Sequence, residues 1–159
     1  MGIEIIRADI TTLDVDAIVN AANSALAGGG GVDGAIHRAA GPALLKACRV
    51  HGRCPPGGAV ITPAFRLPSR YVIHAVGPAD GDAEVLERTY GSVFRVAAGQ
   101  GDIRTIAFPA ISTGAYGFPK RQAAEIALGV MRRHEDEYDR IVAVLFDDES
   151  VAIYRELQT

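Results

Sequence analysis

The sequence predicts an α/β fold with a mixed, mostly parallel sheet, and three observations carry that prediction. Short apolar, β-branched runs alternate with segments of helical periodicity along most of the chain. Two of the runs, 59–62 and 71–76, follow each other with no helix between them, which makes the sheet mixed rather than purely parallel. No internal repeat, low-complexity tract or linker interrupts the 159 residues, a length that suits one domain over 1–159.

Residues 3–8 alternate well enough for a first strand, and 17–21 form a short buried one. A glycine cluster, Gly28 to Gly31, follows. Helical pattern resumes near Asp33, breaks at Gly41-Pro42 and continues to about His51. A turn-rich connection at 53–58 leads into the strands 59–62 and 71–76, with Pro63 and Pro68 bounding the loop between them. Gly77-Pro78 closes the second of these. Residues 83–98 set Leu86, Tyr90, Val93, Phe94 and Ala97 on one helical face. A buried strand at 105–108 ends at Pro109 and opens into a loop at 110–119. The next helix, 120–134, carries a stripe of Ala123, Ile126, Ala127, Val130 and Met131. The last strand is 141–146. Residues 147–150 supply acidic and capping groups for a final helix that buries Val151, Tyr154 and Leu157.

Composition narrows the function classes. A hydrophobic fraction of 48% with both signs of charge interspersed is enough to bury a proper core. No apolar run approaches transmembrane length, and the start MGIEIIRADI lacks the basic start and long apolar stretch of a signal peptide. A cytoplasmic protein with no membrane partner is expected. Cys48 and Cys54 alone do not form a disulfide framework. His37, His51, His74 and His134 are scattered, with no HExxH and no CxxC, so neither a metal nor another cofactor is expected. The net charge of −3 gives no reason to expect a nucleic-acid binder. From Gly34 to Ala79 there is no Asp or Glu, while Arg38, Lys46, Arg49, Arg53, Arg66 and Arg70 lie there. Such a segment could favour an anionic ligand. Taken by itself it is better read as a solvated basic face.

Ligands of such folds gather at loops beyond the carboxyl ends of strands, and three of these loops are unusual here. The first is Ala8-Asp9-Ile10-Thr11, whose carboxylate can accept from a donor such as an amine. Read alone, Asp9 is more simply the cap of a helical turn over residues 10–13. The second runs from Asn20-Ala21-Ala22-Asn23 into Gly28-Gly29-Gly30-Gly31-Val32-Asp33-Gly34. Consecutive glycines expose backbone N–H groups, and the helix start adds a positive dipole end, which suits phosphate or pyrophosphate. A flexible surface loop is the plainer alternative, but such a loop rarely leads straight from a buried strand into a helix. Gly29, Gly31 and Gly34 also satisfy GxGxxG. However, no acid follows until Asp80, the glycines come after the second strand, and no Lys-Ser or Lys-Thr closes them. A redox dinucleotide site and a Walker loop are therefore disfavoured. The third loop, from Ala110 through Ser112, Thr113, Gly114, Ala115 and Tyr116 to Pro119, again offers amides ahead of a helix. Tyr116 there either covers a sugar or ring or simply packs.

Together these loops resemble the macrodomain family. The matching pieces are Ala8 to Thr11, Asn20 to Asn23, Gly28 to His37, Ile111 to Pro119, Tyr71 to Pro78 and Tyr154 to Leu157. They span nearly the whole chain. The run from Asn23 through the glycines and Val32-Asp33 to His37 is similar to the MacroD-type branch, which includes O-acetyl-ADP-ribose deacetylases. The resemblance implies a three-layer α/β/α sandwich around a mixed sheet of about six strands. It also implies ADP-ribose binding and metal-independent hydrolysis of groups esterified to the distal ribose. By motif position it assigns Asp9 to the adenine amino group, with Ile10 beside it and Phe146 at the border. Gly31, Val32, Ser112, Thr113, Gly114 and Ala115 line the diphosphate, and Tyr116 lies against the distal ribose. Asn23 and Asp33 meet that ribose, Asp33 to activate or orient a water and Asn23 to hold a hydroxyl or the water. Asn20 supports the site through hydrogen bonds.

The chain departs from the family at two places. Ala8 stands where the family usually has glycine, and the connection from Gly77 to Glu84 is short. The implied partners are ADP-ribose and its esters, on ADP-ribosylated proteins or nucleic acid ends, with no required protein partner and a monomer expected. Two other activities use the same groove: a non-catalytic ADP-ribose reader, which often lacks the Asn23 and Asp33 pair, and an ADP-ribose 1″-phosphate phosphatase.

Overall fold

The computed structural model describes residues 2–159. Six strands form one sheet: β1 (Ile3–Arg7), β2 (Ala17–Ala22), β3 (Ala59–Pro63), β4 (Tyr71–Val76), β5 (Thr105–Phe108) and β6 (Arg140–Leu145). Their spatial order is β1-β6-β5-β2-β4-β3. Every pairing is parallel except β3 with β4, the two runs that lack a helix between them. The edge strand β3 ends in Pro63, where a missing N–H leaves no neighbour without a partner.

Alternation along each strand builds two cores. Ala17 and Val19 of β2, Ile73 and Ala75 of β4, and Ile141 and Ala143 of β6 face α3 (Ala83–Gln100), α4 (Lys120–His134) and α5 (Asp148–Gln158). Ile18, Val72, Val142 and Val144 face α1 (Gly31–Ala40) and α2 (Pro42–His51). The result is three layers, with helices on both faces of the sheet. The final helix buries Val151 and Tyr154 and half-buries Leu157.

Asp82 and Asp147 cap α3 and α5 by accepting backbone N–H bonds. Between α1 and α2 the chain turns at Gly41 with φ 88°, a conformation that only glycine adopts at little cost, and Pro42 restarts the helix. One boundary differs from the sequence reading. The first helix starts at Gly31 rather than near Asp33, because Gly30 in extended conformation already serves as its N-cap.

Candidate functional site

The connection after β2 runs over the α1/α2 face, whereas the connection after the neighbouring β5 enters α4 on the opposite face. A crevice opens where two neighbouring strands part in this way. It holds two cavities of about 590 Å³ and 470 Å³. Gly31, Val32 and Phe146 line both, so together they form one groove.

The first cavity is walled by Arg7, Ala8, Asp9, Ile10, Ala35, Pro109 and Val144. Asp9 both caps a 3-10 turn and lines this cavity. Its Oδ1 accepts from the Thr11 amide at 2.9 Å and the Thr11 hydroxyl at 2.7 Å. Those bonds, the hydroxyl's first, hold the carboxyl below its ordinary pKa and keep it an acceptor. Ile10 is buried beneath it. Phe146, just past the end of β6, is 70% exposed, an unusual place for a phenyl ring that nothing covers.

The second cavity is walled by the glycine loop and by residues 110–116. At the start of α1, Gly34 N–H donates to the Gly30 carbonyl, whereas the amides of Gly31, Val32 and Asp33 have no acceptor among the described residues. The facing loop is held from behind. Tyr90 Oη accepts from the Ile111 amide at 3.2 Å, and Phe118 N–H donates to the Ser112 carbonyl at 2.9 Å. The intervening amides of Thr113, Gly114, Ala115 and Tyr116 likewise have no protein acceptor among the described residues. Two rows of residues whose amides have no protein acceptor thus line one crevice, an arrangement suited to an oxyanion. Ser112 adopts φ 68°, and its buried Oγ has no hydrogen-bond partner. Tyr116 is 40% exposed at the rim.

Asp33 and Asn23 converge on Gly29. The point a Cβ would occupy on Gly29 lies 3.3 Å from Asp33 Oδ2 and 3.6 Å from Asn23 Nδ2. Asn23 Nδ2 also donates to the Gly28 carbonyl at 2.9 Å, so one of its two amide hydrogens shapes the glycine loop and the other remains free. Asp33 is only 6% exposed. Its Oδ1 accepts from Asn20 Nδ2 at 2.8 Å and lies 3.3 Å from His37 Nε2, one helical turn away. A carboxylate close to an anion site needs such donors. Asn20 itself lines neither cavity; it is fully buried behind Asp33.

Several neighbours of the site were not singled out from the sequence. His37 could have been, because it stands four residues after Asp33 on the same helical face. His74 was visible as the one polar side chain in the apolar run of β4. Tyr90 and Tyr154 are both buried, and Tyr90 bonds the second loop from behind through the Ile111 amide, which no sequence period reveals. Cys48 and Cys54 are free thiols. Among the described residues no group of three or more His, Cys, Asp or Glu side chains could hold a metal ion, and no helix is long and apolar enough to cross a membrane.

Comparison with known proteins agrees with this geometry. The macro domain family profile matches residues 19–127. A Klebsiella pneumoniae protein named O-acetyl-ADP-ribose deacetylase is 55% identical over 166 residues, covering 97% of this chain and 94% of that one. The Oceanobacillus iheyensis macrodomain with ADP superposes with a TM-score of 0.90 at 42% identity, over 97% of this chain and 88% of the other. The Trypanosoma brucei macrodomain in complex with ADP-ribose superposes with a TM-score of 0.93 at 40% identity, over 98% and 68%.

Proposed function

The chain belongs to the macro domain family, and we propose that it binds ADP-ribose and hydrolyses esters at the distal ribose. The observation that carries this reading is the convergence of Asp33 Oδ2 and Asn23 Nδ2 beside Gly29, at one end of a groove flanked by two rows of free amides. Adenine occupies the first cavity, with Asp9 accepting from its amino group, Ile10 beneath and Phe146 against it. The diphosphate lies between Gly31-Val32 and Ser112 to Ala115, where backbone N–H groups oppose its charge. Tyr116 rests on the distal ribose.

In the reaction, Asp33 takes a proton from a water that attacks the acyl carbon. Asn23 orients that water or a ribose hydroxyl through its free amide hydrogen. The bond between the acyl carbon and the ribose oxygen breaks, that oxygen takes up the proton, and the products are ADP-ribose and a carboxylic acid. No step needs a metal. Asn20 holds the unused oxygen of Asp33, so the carboxylate presents Oδ2 alone.

Substrates of this class include free O-acetyl-ADP-ribose and ADP-ribose on acidic side chains or nucleic acid ends. The free thiols Cys48 and Cys54 favour a reducing compartment such as the cytoplasm. Incubation with O-acetyl-ADP-ribose and with an aspartyl- or glutamyl-ADP-ribosylated protein tests the reading. Release of ADP-ribose by the wild type and not by Asp33→Ala supports it; release from neither substrate by the wild type refutes it.

A further inference from the structure

We propose that His74 is a positioning residue for this hydrolysis: fixed in its Nε2–H form by Thr62, it orients the Asn20 carboxamide, which in turn holds Asp33. The inference rests on the functional reading above.

Asn20 and His74 are register partners on the parallel strands β2 and β4, so their side chains stand next to each other under α1 and α2. Both are buried, as are Thr62 and Asp33. An unbroken line of contacts joins the four. Thr62 Oγ1 lies 3.0 Å from His74 Nε2, His74 Nδ1 lies 3.2 Å from Asn20 Nδ2, and Asn20 Nδ2 lies 2.8 Å from Asp33 Oδ1.

The proton positions follow from counting donors. The Thr62 hydroxyl has one hydrogen, and it goes to the Pro63 carbonyl at 3.0 Å, which can only accept. Toward His74, Thr62 therefore offers a lone pair, and Nε2 must carry the imidazole hydrogen. In a neutral ring this leaves Nδ1 as an acceptor, which takes one hydrogen of the Asn20 amide. The second hydrogen goes to Asp33. A flipped Asn20 would set its oxygen against both a carboxylate oxygen and an imidazole lone pair, so only one orientation survives. The orientation holds even though it leaves the buried Asn20 Oδ1 with no partner. Burial, with the nearby charges of His37 and His51, lowers the His74 pKa to about 3 and keeps the ring neutral. Cys48 Sγ closes the pocket 3.6 Å from Nε2.

Two substitutions separate positioning from packing. His74→Leu fills the space without an acceptor, whereas His74→Asn restores an acceptor oxygen near the Nδ1 position. With O-acetyl-ADP-ribose as substrate, His74→Leu lowers kcat about tenfold while ADP-ribose affinity stays within about twofold, as expected for one lost buried hydrogen bond behind the reacting group. His74→Asn recovers most of kcat despite being the less thermally stable of the two. A packing role gives the opposite order, with activity following stability. Equal kcat in both variants, or affinity falling in step with kcat, overturns the proposal. Should neither variant fold, ¹⁵N NMR of histidine-labelled wild type decides: a protonated Nε2 and bare Nδ1 on His74 at neutral pH are expected, and the reverse tautomer overturns the relay. Wild-type turnover distinguishes the two levels of the account. Turnover indifferent to His74 sinks the relay alone, and no turnover at all sinks the functional reading and the relay with it.

Discussion

A methyl group on Gly77 would overlap the hydroxyl of Ser112 and stand 2.6 Å from Cγ2 of Ile111. Gly77 follows β4 and Ser112 follows β5, and β2 runs between those strands. Only a residue without a side chain lets the second loop close over the end of β2 and turn its amides toward the glycine loop. Gly77→Ala should leave the sheet intact but push residues 111–118 outward. The expected loss is about tenfold or more in ADP-ribose affinity, the scale of overpacking a tight contact. Calorimetry on the folded variant measures it, and unchanged affinity would show that the contact does not set the loop.

Asp9 caps a turn and, in the proposed function, receives the adenine amino group; one substitution separates the two. Asn at this position retains an oxygen to cap the Thr11 amide, so the turn survives. It replaces the second carboxylate oxygen with an amide donor, which faces the adenine amino group donor to donor. Asp9→Asn should weaken ADP-ribose about tenfold while leaving ribose 5-phosphate binding unchanged. A parallel loss for both ligands would remove Asp9 from base recognition.

The pKa of His74 predicts a pH dependence of stability. Folded, the ring stays neutral down to about pH 3. Unfolded, it takes up a proton near pH 6.5, as an ordinary histidine does. The unfolded state therefore binds the extra proton first as pH falls. The stability tied to neutral His74 is complete above about pH 6.5 and is lost from there toward pH 3, at up to about 1.4 kcal/mol per pH unit. Other groups facing the ring, Asp33 and His37 of α1 and Cys48 and His51 of α2, remain in the variant His74→Asn. Urea unfolding at pH 7 and pH 5 should show a smaller acid loss in that variant than in the wild type, and identical losses would contradict the assignment.

Asp33→Ala should lower turnover of O-acetyl-ADP-ribose about a hundredfold or more, the usual weight of a positioned base, with a much smaller effect on ADP-ribose affinity. Stopped assays alongside calorimetry give both numbers. Equal losses in the two would move Asp33 from chemistry to binding. Asn23→Ala should change turnover in the same direction.

Local patterns made much of this molecule legible in the sequence. The strands 71–76 and 105–108 and the helix 120–134 lie where apolar periodicity places them, because each contacts the core through a face that repeats at its own period. The missing helix between 59–62 and 71–76 marked the sheet as mixed, though not that this pair lies at its edge. Asp9 was legible as the cap of a turn, and an acid beginning a turn at a strand end also comes to line the first cavity. Long-range contacts were not legible. Thr62, His74, Asn20 and Asp33 meet through the register of β2, β4 and β3, and a shift of one residue would send Asn20 and His74 to opposite faces of the sheet. The two tyrosines behind the second loop sit on α3 and α5, 64 positions apart in a chain whose local pattern says only that they are buried.

The most direct test of the groove is calorimetric titration of the wild-type protein with ADP-ribose. Saturable heat at one site per chain is expected, weakened when Asp9 or Gly77 is altered. A flat titration at ligand concentrations that saturate its relatives would contradict it.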